Sequence, residues 1–361
     1  MKKQLIAAAA LALVSGAAAA QSNVTLYGII DTGVYTTNAS GAGNQSQTTM
    51  VSGTWLPSLF GIKGSEDLGG GLKTNFDLQS NLGSVDGTQS PTSSVMFGRN
   101  ATVGLSGGFG KVDAGRQIDI LFLQSFLNGV IPTHTNSLAV NGLLAYYPGT
   151  LATSAGDTVG AFVNNVIAYT TPDFNGLKAT VQYAIGGTTN GASANQNMAG
   201  LLTYNNSGLS LSAGYESQNG STGTTVLQKG LVGAKYSLGA IDFAAQYNSF
   251  KNPNPGAIIS GSTASGAVDA NGIEAGVAYH FSPVFLAGVN FERFNNNIAN
   301  TTPTIISLKA KYELSKRTSI WGLVSNYNAD AAYAMPQGYA LGTTGATNSA
   351  TGFGVGITHT F

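Results

Sequence analysis

Strict two-residue alternation, recurring along the chain with no helical period between its instances, is the feature that most limits what this chain can fold into. Its clearest instance is the stretch from Ala350 to Phe361. There Phe353, Val355, Ile357, His359 and Phe361 fall on one parity, and Gly352, Gly354, Gly356, Thr358 and Thr360 on the other. Successive side chains of a strand point to opposite faces, so one face is apolar and the other small and polar. The pattern returns in Leu177–Ile185, Ile241–Tyr247, Ile273–Phe281, Phe285–Phe291 and Ile306–Leu314, with Lys178, Gln182, Gln246, Glu274, Asn290, Lys309 and Lys311 on the second parity. A soluble sheet alternates in this way against a core. Segments of about ten residues repeating the dyad without helices are instead the mark of a barrel that turns its apolar face to lipid.

The connections support that reading. Short turns (65–71, 107–110, 173–176, 207–208, 237–240, 282–283 and 315–316) alternate with long loops (38–55, 187–196, 251–270, 294–302 and 329–349). Short turns at one rim and long loops at the other characterise outer-membrane barrels. The spacing predicts an all-β fold, a 16-stranded antiparallel transmembrane barrel. Its strands lie near 23–37, 56–64, 71–82, 95–106, 111–117, 164–171, 177–186, 197–205, 209–218, 226–236, 240–250, 271–281, 284–293, 303–314, 317–328 and 350–361. An even count brings both termini to one rim, and closure pairs every backbone group in the lipid zone. A ring of roughly this size leaves an aqueous channel.

Composition is consistent with this. Only 9% of the 361 residues are charged and the formal net charge is zero, so neither a nucleic-acid face nor an acidic tail is indicated. The absence of cysteine excludes disulfides and thiolate metal sites. Residues 1–20 read as a secretory signal: Lys2 and Lys3, the apolar run Leu5–Val14, then Ala18-Ala19-Ala20 ahead of Gln21. Residues 21–361 are the expected barrel. Beyond Gln21 no apolar run approaches the ~20 residues of a membrane helix. Tyr27, Tyr35, Tyr183, Tyr236, Tyr247, Tyr279, Phe281, Phe291 and Phe361 fall near strand ends, as interfacial girdles do.

Residues 118–163 break the rhythm. This stretch holds no strand of the right length, yet Ile118, Ile120, Leu121, Phe122, Leu123, Phe126, Leu127, Val130, Ile131, Tyr146 and Tyr147 make it too apolar for disorder. It is expected to fold into the lumen as a constriction loop, with Asp119 and Asp157 as its acids. Rings of charge set pore selectivity, so so few charges predict weak ion selectivity. The competing reading is an external loop packed on a neighbouring subunit.

Other functions fit less well. A barrel hydrolase needs a Ser–His–acid set, but His280 and His359 fall in strands, His134 stands in the loop, and no Gly-x-Ser-x-Gly elbow occurs. No His/Asp/Glu group has metal-ligand spacing, and no cofactor is expected. A substrate-specific channel with a charge-poor eyelet would share the fold and differ in the loop. An adhesin or structural barrel would not conduct.

The chain resembles the Gram-negative trimeric porins, in particular their Neisseria-like, β-proteobacterial branch. Val24-Thr25-Leu26-Tyr27-Gly28 with Asp31 is similar to that family's opening strand, and Gly64-Ser65-Glu66-Asp67-Leu68-Gly69-Gly70-Gly71-Leu72-Lys73 to its first periplasmic turn. Phe97-Gly98-Arg99-Asn100 through Leu105 and Gly115-Arg116-Gln117 resemble the strands before its constriction loop. Tyr169 through Gly176 resembles the turn after it, and Ser315-Lys316-Arg317-Thr318 with Phe361 completes the set. The resemblance implies sixteen strands, a third loop tucked into the pore, a homotrimer, contact with outer-membrane lipids including lipopolysaccharide, and insertion by the barrel assembly machinery through the terminal Phe361. It implies an eyelet with Arg116 and Arg99 as bases, and Asp119 as the loop acid opposite. Three positions where the family often carries arginine hold Leu59, Phe162 (or a near neighbour) and Thr358 here, which implies a less charged eyelet.

Overall fold

The computed structural model describes residues 23–40, 46–89, 95–134, 161–186, 193–220, 222–253, 269–297, 300, 302–334 and 346–361. Its strand segments, in chain order, are β1 Asn23–Ser40, β2 Gln47–Ser52, β3 Leu59–Gly69, β4 Leu72–Asn81, β5 Asn100–Gly107, β6 Gly110–Ile118, β7 Phe162–Thr170, β8 Leu177–Ala184 and β9 Asn197–Asn206. They continue as β10 Leu209–Asn219, β11 Thr225–Leu238, β12 Ile241–Lys251, β13 Asp269–Ser282, β14 Phe285–Asn296, β15 Thr304–Glu313, β16 Thr318–Ala334 and β17 Ala346–Thr360. One helix is described, α1 Ile120–Asn128.

The sheet closes on itself. β1 pairs with β17 from Ile29↔Thr360 to Ser40↔Ser349. Its other edge pairs with β3 over Asn23–Ile29 and with β2 over Thr32–Thr37. β2 and β3 therefore share one place in the wall, and the ring is a closed 16-stranded antiparallel barrel. Because it has no free edge, every strand can satisfy its backbone on a neighbour, which hydrocarbon demands.

The strand parities emerge as the alternation requires. Val277, Leu308, Val324 and Phe353 stand exposed on the outer face, whereas Glu292, Ser307, Lys309 and Ser325 are buried within. That is the reverse of a soluble sheet, because here the outer surface meets lipid.

The inner face differs from expectation in one respect. The glycines of β17 do not leave open polar space; they form bays under aromatic rings. A Cβ on Gly356 would lie 2.3 Å from the Trp321 ring, and one on Gly33 2.7 Å from it. Trp321 stacks on Trp55 (centroids 6.1 Å apart), and both are buried beside Tyr35, Leu323 and Tyr327.

Three boundaries also differ. β2 forms inside the stretch expected to be a loop over 38–55, because Thr48, Thr49 and Val51 continue the ladder of β1. Between β2 and β3, over residues 53–58, the chain leaves the ladder; Pro57 there has no N–H to give it, and Trp55 is buried inside the ring. The first turn is tighter than 65–71, since β3 runs on to Gly69 and pairs it with Leu72. The loop expected over 118–163 is bounded by strand at Ile118 and again from Phe162. The expected signal at 1–20, loop residues 135–160 and Asp157 lie outside the described residues.

Candidate constriction site

Past Ile118 the chain leaves the wall. The Asp119 amide still donates to the Ala161 carbonyl (3.0 Å), and Gln182 on β8 grips the departure point. Its Nε2 donates to Ile118 O (2.9 Å) and its Oε1 accepts from Ile120 N (3.1 Å). Asp119 then starts α1 as its N-cap, accepting from the Phe122 amide at 2.7 Å, which satisfies one of the donors a helix start leaves open. Leu121 packs against Ala199, Leu201 and Leu231.

The far end of α1 is held by polar contacts. Gln246 Nε2 donates to Ser125 O (2.8 Å), Ser212 Oγ donates to Asn128 Oδ1 (3.0 Å), and Lys235 Nζ donates to Leu127 O (3.2 Å). A lysine on the terminal carbonyls also complements the negative end of the helix dipole. Beyond Gly129, Val130 and Ile131 join the cluster around Trp55 and Trp321. Lys309 Nζ donates to Ile131 O (3.3 Å), the His134 amide to Trp55 O (2.9 Å), and His134 Nδ1–H to Gly53 O (2.8 Å). The wall side chains in these contacts have the parity opposite to the lipid-facing one.

The charges are arranged in two groups. In the first, Lys229 on β11 stands between two carboxylates, 3.2 Å from Asp119 Oδ2 and 2.8 Å from Glu216 Oε2. Asp119 and Glu216 are fully buried and Lys229 nearly so. Glu216 also accepts from Asn197 Nδ2 (2.8 Å) and Gln218 Nε2 (2.6 Å). Lys229 is thus the partner Asp119 takes, where the family resemblance implied Arg116.

The second group gathers Arg99, Arg116 and Phe162. The guanidinium carbons lie 5.1 Å and 5.7 Å from the Phe162 ring centroid, within cation–π range. Arg99 donates to Gln79 Oε1 (2.6 Å) and Asn81 Oδ1 (3.0 Å). Arg116 donates to Gly98 O (2.6 Å) and Asn164 Oδ1 (2.5 Å). A β-bulge aims Arg116. Its register partner is Ala101, on the parity of outward-facing Val103 and Leu105, but the β6–β7 register shifts between Gly115 and Gln117.

Of the residues singled out from sequence, Arg99, Arg116 and Phe162 come together, and Asp119 lies in the other group. Thr358 and Asp31 form a third feature. Buried Asp31 accepts from Trp321 Nε1 (2.9 Å), from the Trp55 amide (3.0 Å) and from the Thr358 hydroxyl. Thr358 therefore serves a carboxylate of the seam. Sequence reasoning passed over Lys229, Glu216 and the tryptophan pair. One signal was present: Leu227 and Leu231 flank Lys229 on the lumen parity, and apolar residues there imply something packed inside the ring.

The model of a family described as Gram-negative porin matches residues 7–332. The chain is 32% identical over 373 residues to outer membrane porin protein 32 of Delftia acidovorans, with all of both chains covered. It is 33% identical over 190 residues to major outer membrane protein P.IB of Neisseria meningitidis, about half of each chain (51% and 50%). Among solved structures, an anion-selective porin from Comamonas acidovorans superposes with a TM-score of 0.77 at 27% identity, covering 94% of this chain and 100% of that one. A trimer form of OmpT from Vibrio cholerae gives 0.61 at 15% identity over 94% and 99%, a likeness of fold alone.

Proposed function

From the premise that this chain belongs to the Gram-negative porin family, we propose a location for its constriction and a weak ion selectivity for its pore. The protein is a multi-pass β-barrel of the Gram-negative outer membrane, a channel for passive diffusion of small hydrophilic solutes and ions, and not an enzyme. In our reading residues 118–163 are the constriction loop, with Arg99 and Arg116 facing it from the wall, Phe162 at its return to the wall and Asp157 contributing from the loop. The working unit is a homotrimer in contact with outer-membrane lipids including lipopolysaccharide. Residues 1–20 direct export, and Phe361 is the signal read by the barrel assembly machinery.

The observation that carries weak selectivity is the use made of Asp119. The described acid of the loop caps α1 and faces Lys229, so it sets up no transverse field against Arg116. Charge rings govern selectivity, and this one is largely spent inside the protein. The reversal potential of the reconstituted protein in a KCl gradient is expected to stay far below the limit for a perfectly selective pore. A strong anion preference that Arg116→Ala abolishes would contradict the reading. The apolar cluster of Trp55, Val130, Ile131 and Trp321, packed inside the ring against the loop, favours a second reading, a substrate-specific channel. Liposome swelling separates the two: permeation that declines smoothly with sugar size means general diffusion, and one outlying solute means specificity.

A further inference from the structure

We infer that Lys229 is a positioning residue for pore size: it pins the start of the inner loop to the wall and thereby sets how large a solute passes, rather than serving as a selectivity charge. The inference rests on the reading of residues 118–163 as the constriction loop.

Among the described residues three wall lysines reach that loop, and they differ in what they hold. Lys235 and Lys309 donate to backbone carbonyls, Leu127 O and Ile131 O, so each adds one bond to a segment also held by packing. Lys229 bonds the side chain that starts the helix. Asp119 accepts from Phe122 N through Oδ1 and faces Lys229 Nζ through Oδ2. The second carboxylate, Glu216, belongs to the wall and is fixed by Asn197 and Gln218. One ammonium therefore ties a wall acid to a loop acid in a buried setting. Removing one partner of such a group leaves the others uncompensated. Without Lys229 that tie is lost, and the element free to move is α1, since β10 and β11 are locked in the ring. Pore cross-section then changes although no eyelet residue has been altered.

The test uses the full mature protein reconstituted in planar bilayers and in liposomes. Native protein is compared with Lys229→Met, Lys229→Arg and Asp119→Asn. Asparagine caps a helix about as well as aspartate, so Asp119→Asn keeps the helix start while replacing the charged oxygen that faces Lys229 by a neutral NH2 group. It decides the matter if Lys229→Met fails to assemble. Both charge-removing variants are expected to raise single-channel conductance above the native value. They are also expected to admit larger sugars in swelling assays, and to make the loop more susceptible to added protease. Ion selectivity should stay close to native, and Lys229→Arg should restore the native size limit.

A shift toward cations with unchanged conductance and unchanged sugar cut-off would make Lys229 an ordinary lumen charge and overturn the inference. So would native behaviour of both variants. If protein with residues 119–161 replaced by a short Gly/Ser connection keeps native conductance and sugar cut-off, the constriction reading fails instead, and the two failures are told apart.

Discussion

At the scale of the residue, this barrel reverses the usual relation between burial and polarity, and single side chains acquire consequences from that reversal. His134 is an example. It lies in the loop segment outside the strands, and its Nδ1–H reaches the Gly53 carbonyl at 2.8 Å. Burial, opposed by that hydrogen bond and reinforced by nearby Arg99, pushes its pKa down to about 4. The docked segment holds a neutral imidazole, whereas an undocked one titrates near the ordinary 6.5. Undocked chain thus binds more protons between those values, so docking is at full strength above about 6.5 and weakens as pH falls toward 4. The readout is built in: the chain has two tryptophans, Trp55 and Trp321, stacked on each other where His134 bonds Trp55 O. Acidification across this window should shift tryptophan emission to the red in the native protein and not in His134→Gln. Equal shifts in both would assign the change to another group. Little of this was legible in the sequence. His134 and Trp55 are far apart in the chain, and nothing local marks a histidine whose partner is a backbone carbonyl.

Elements were more legible because alternation is a local signal and the ring must use it. Stretches of seven to nine residues such as Phe285–Phe291 and Ile306–Leu314 could be assigned a lipid face directly, since lipid and lumen impose opposite preferences on adjacent positions. The sequence hid the places where the wall departs from regular strand. β2 was hidden behind the break in the ladder over residues 53–58. α1 was hidden because its apolar residues face both the wall and the lumen, so no amphipathic stripe stands out. The bulge between β6 and β7 belongs with these: its extra residue lies on β7 at Asn164–Asn165, next to the Gly115↔Val166 pair. Gly115 has a φ of +130°, and a Cβ there would lie 2.0 Å from the Ala101 carbonyl. Gly115→Ala must therefore either strain the bulge, at a cost of about 1–3 kcal/mol, or straighten it and swing Arg116 away from Phe162 and Asn164. Denaturant unfolding of the detergent-solubilised protein should show a lowered midpoint. Reversal potentials should move in the same direction as in Arg116→Ala. A variant of native stability and native selectivity would mean that the bulge does not aim Arg116.

At the scale of the whole molecule the wall and the loop obey different physics, and this accounts for which was readable. The wall is a set of nearest-neighbour pairings, strand on sequential strand, closed by one long-range seam between β1 and β17. Recurrence along the chain suffices to infer it. The loop owes its place to partners scattered around the ring, Gln182, Lys229, Gln246, Lys309 and Trp55, and no local pattern encodes such a set. The same division predicts how the protein responds to losing the inner segment. Backbone hydrogen bonds of the ring run between strands, and none of the β1–β17 seam passes through α1 or Gly129–His134. Replacing residues 119–161 with a short Gly/Ser connection should therefore leave the strand content by circular dichroism and the heat-modifiable migration near native, while conductance rises. The exposed inner wall would then carry Lys229 and Glu216 in water, where a charged pair is worth little, so their loss of the loop need not unfold the ring. Collapse of the strand signal in that variant would show that the inner loop is part of the barrel's cooperative core, and that closure of the ring alone does not hold the wall together.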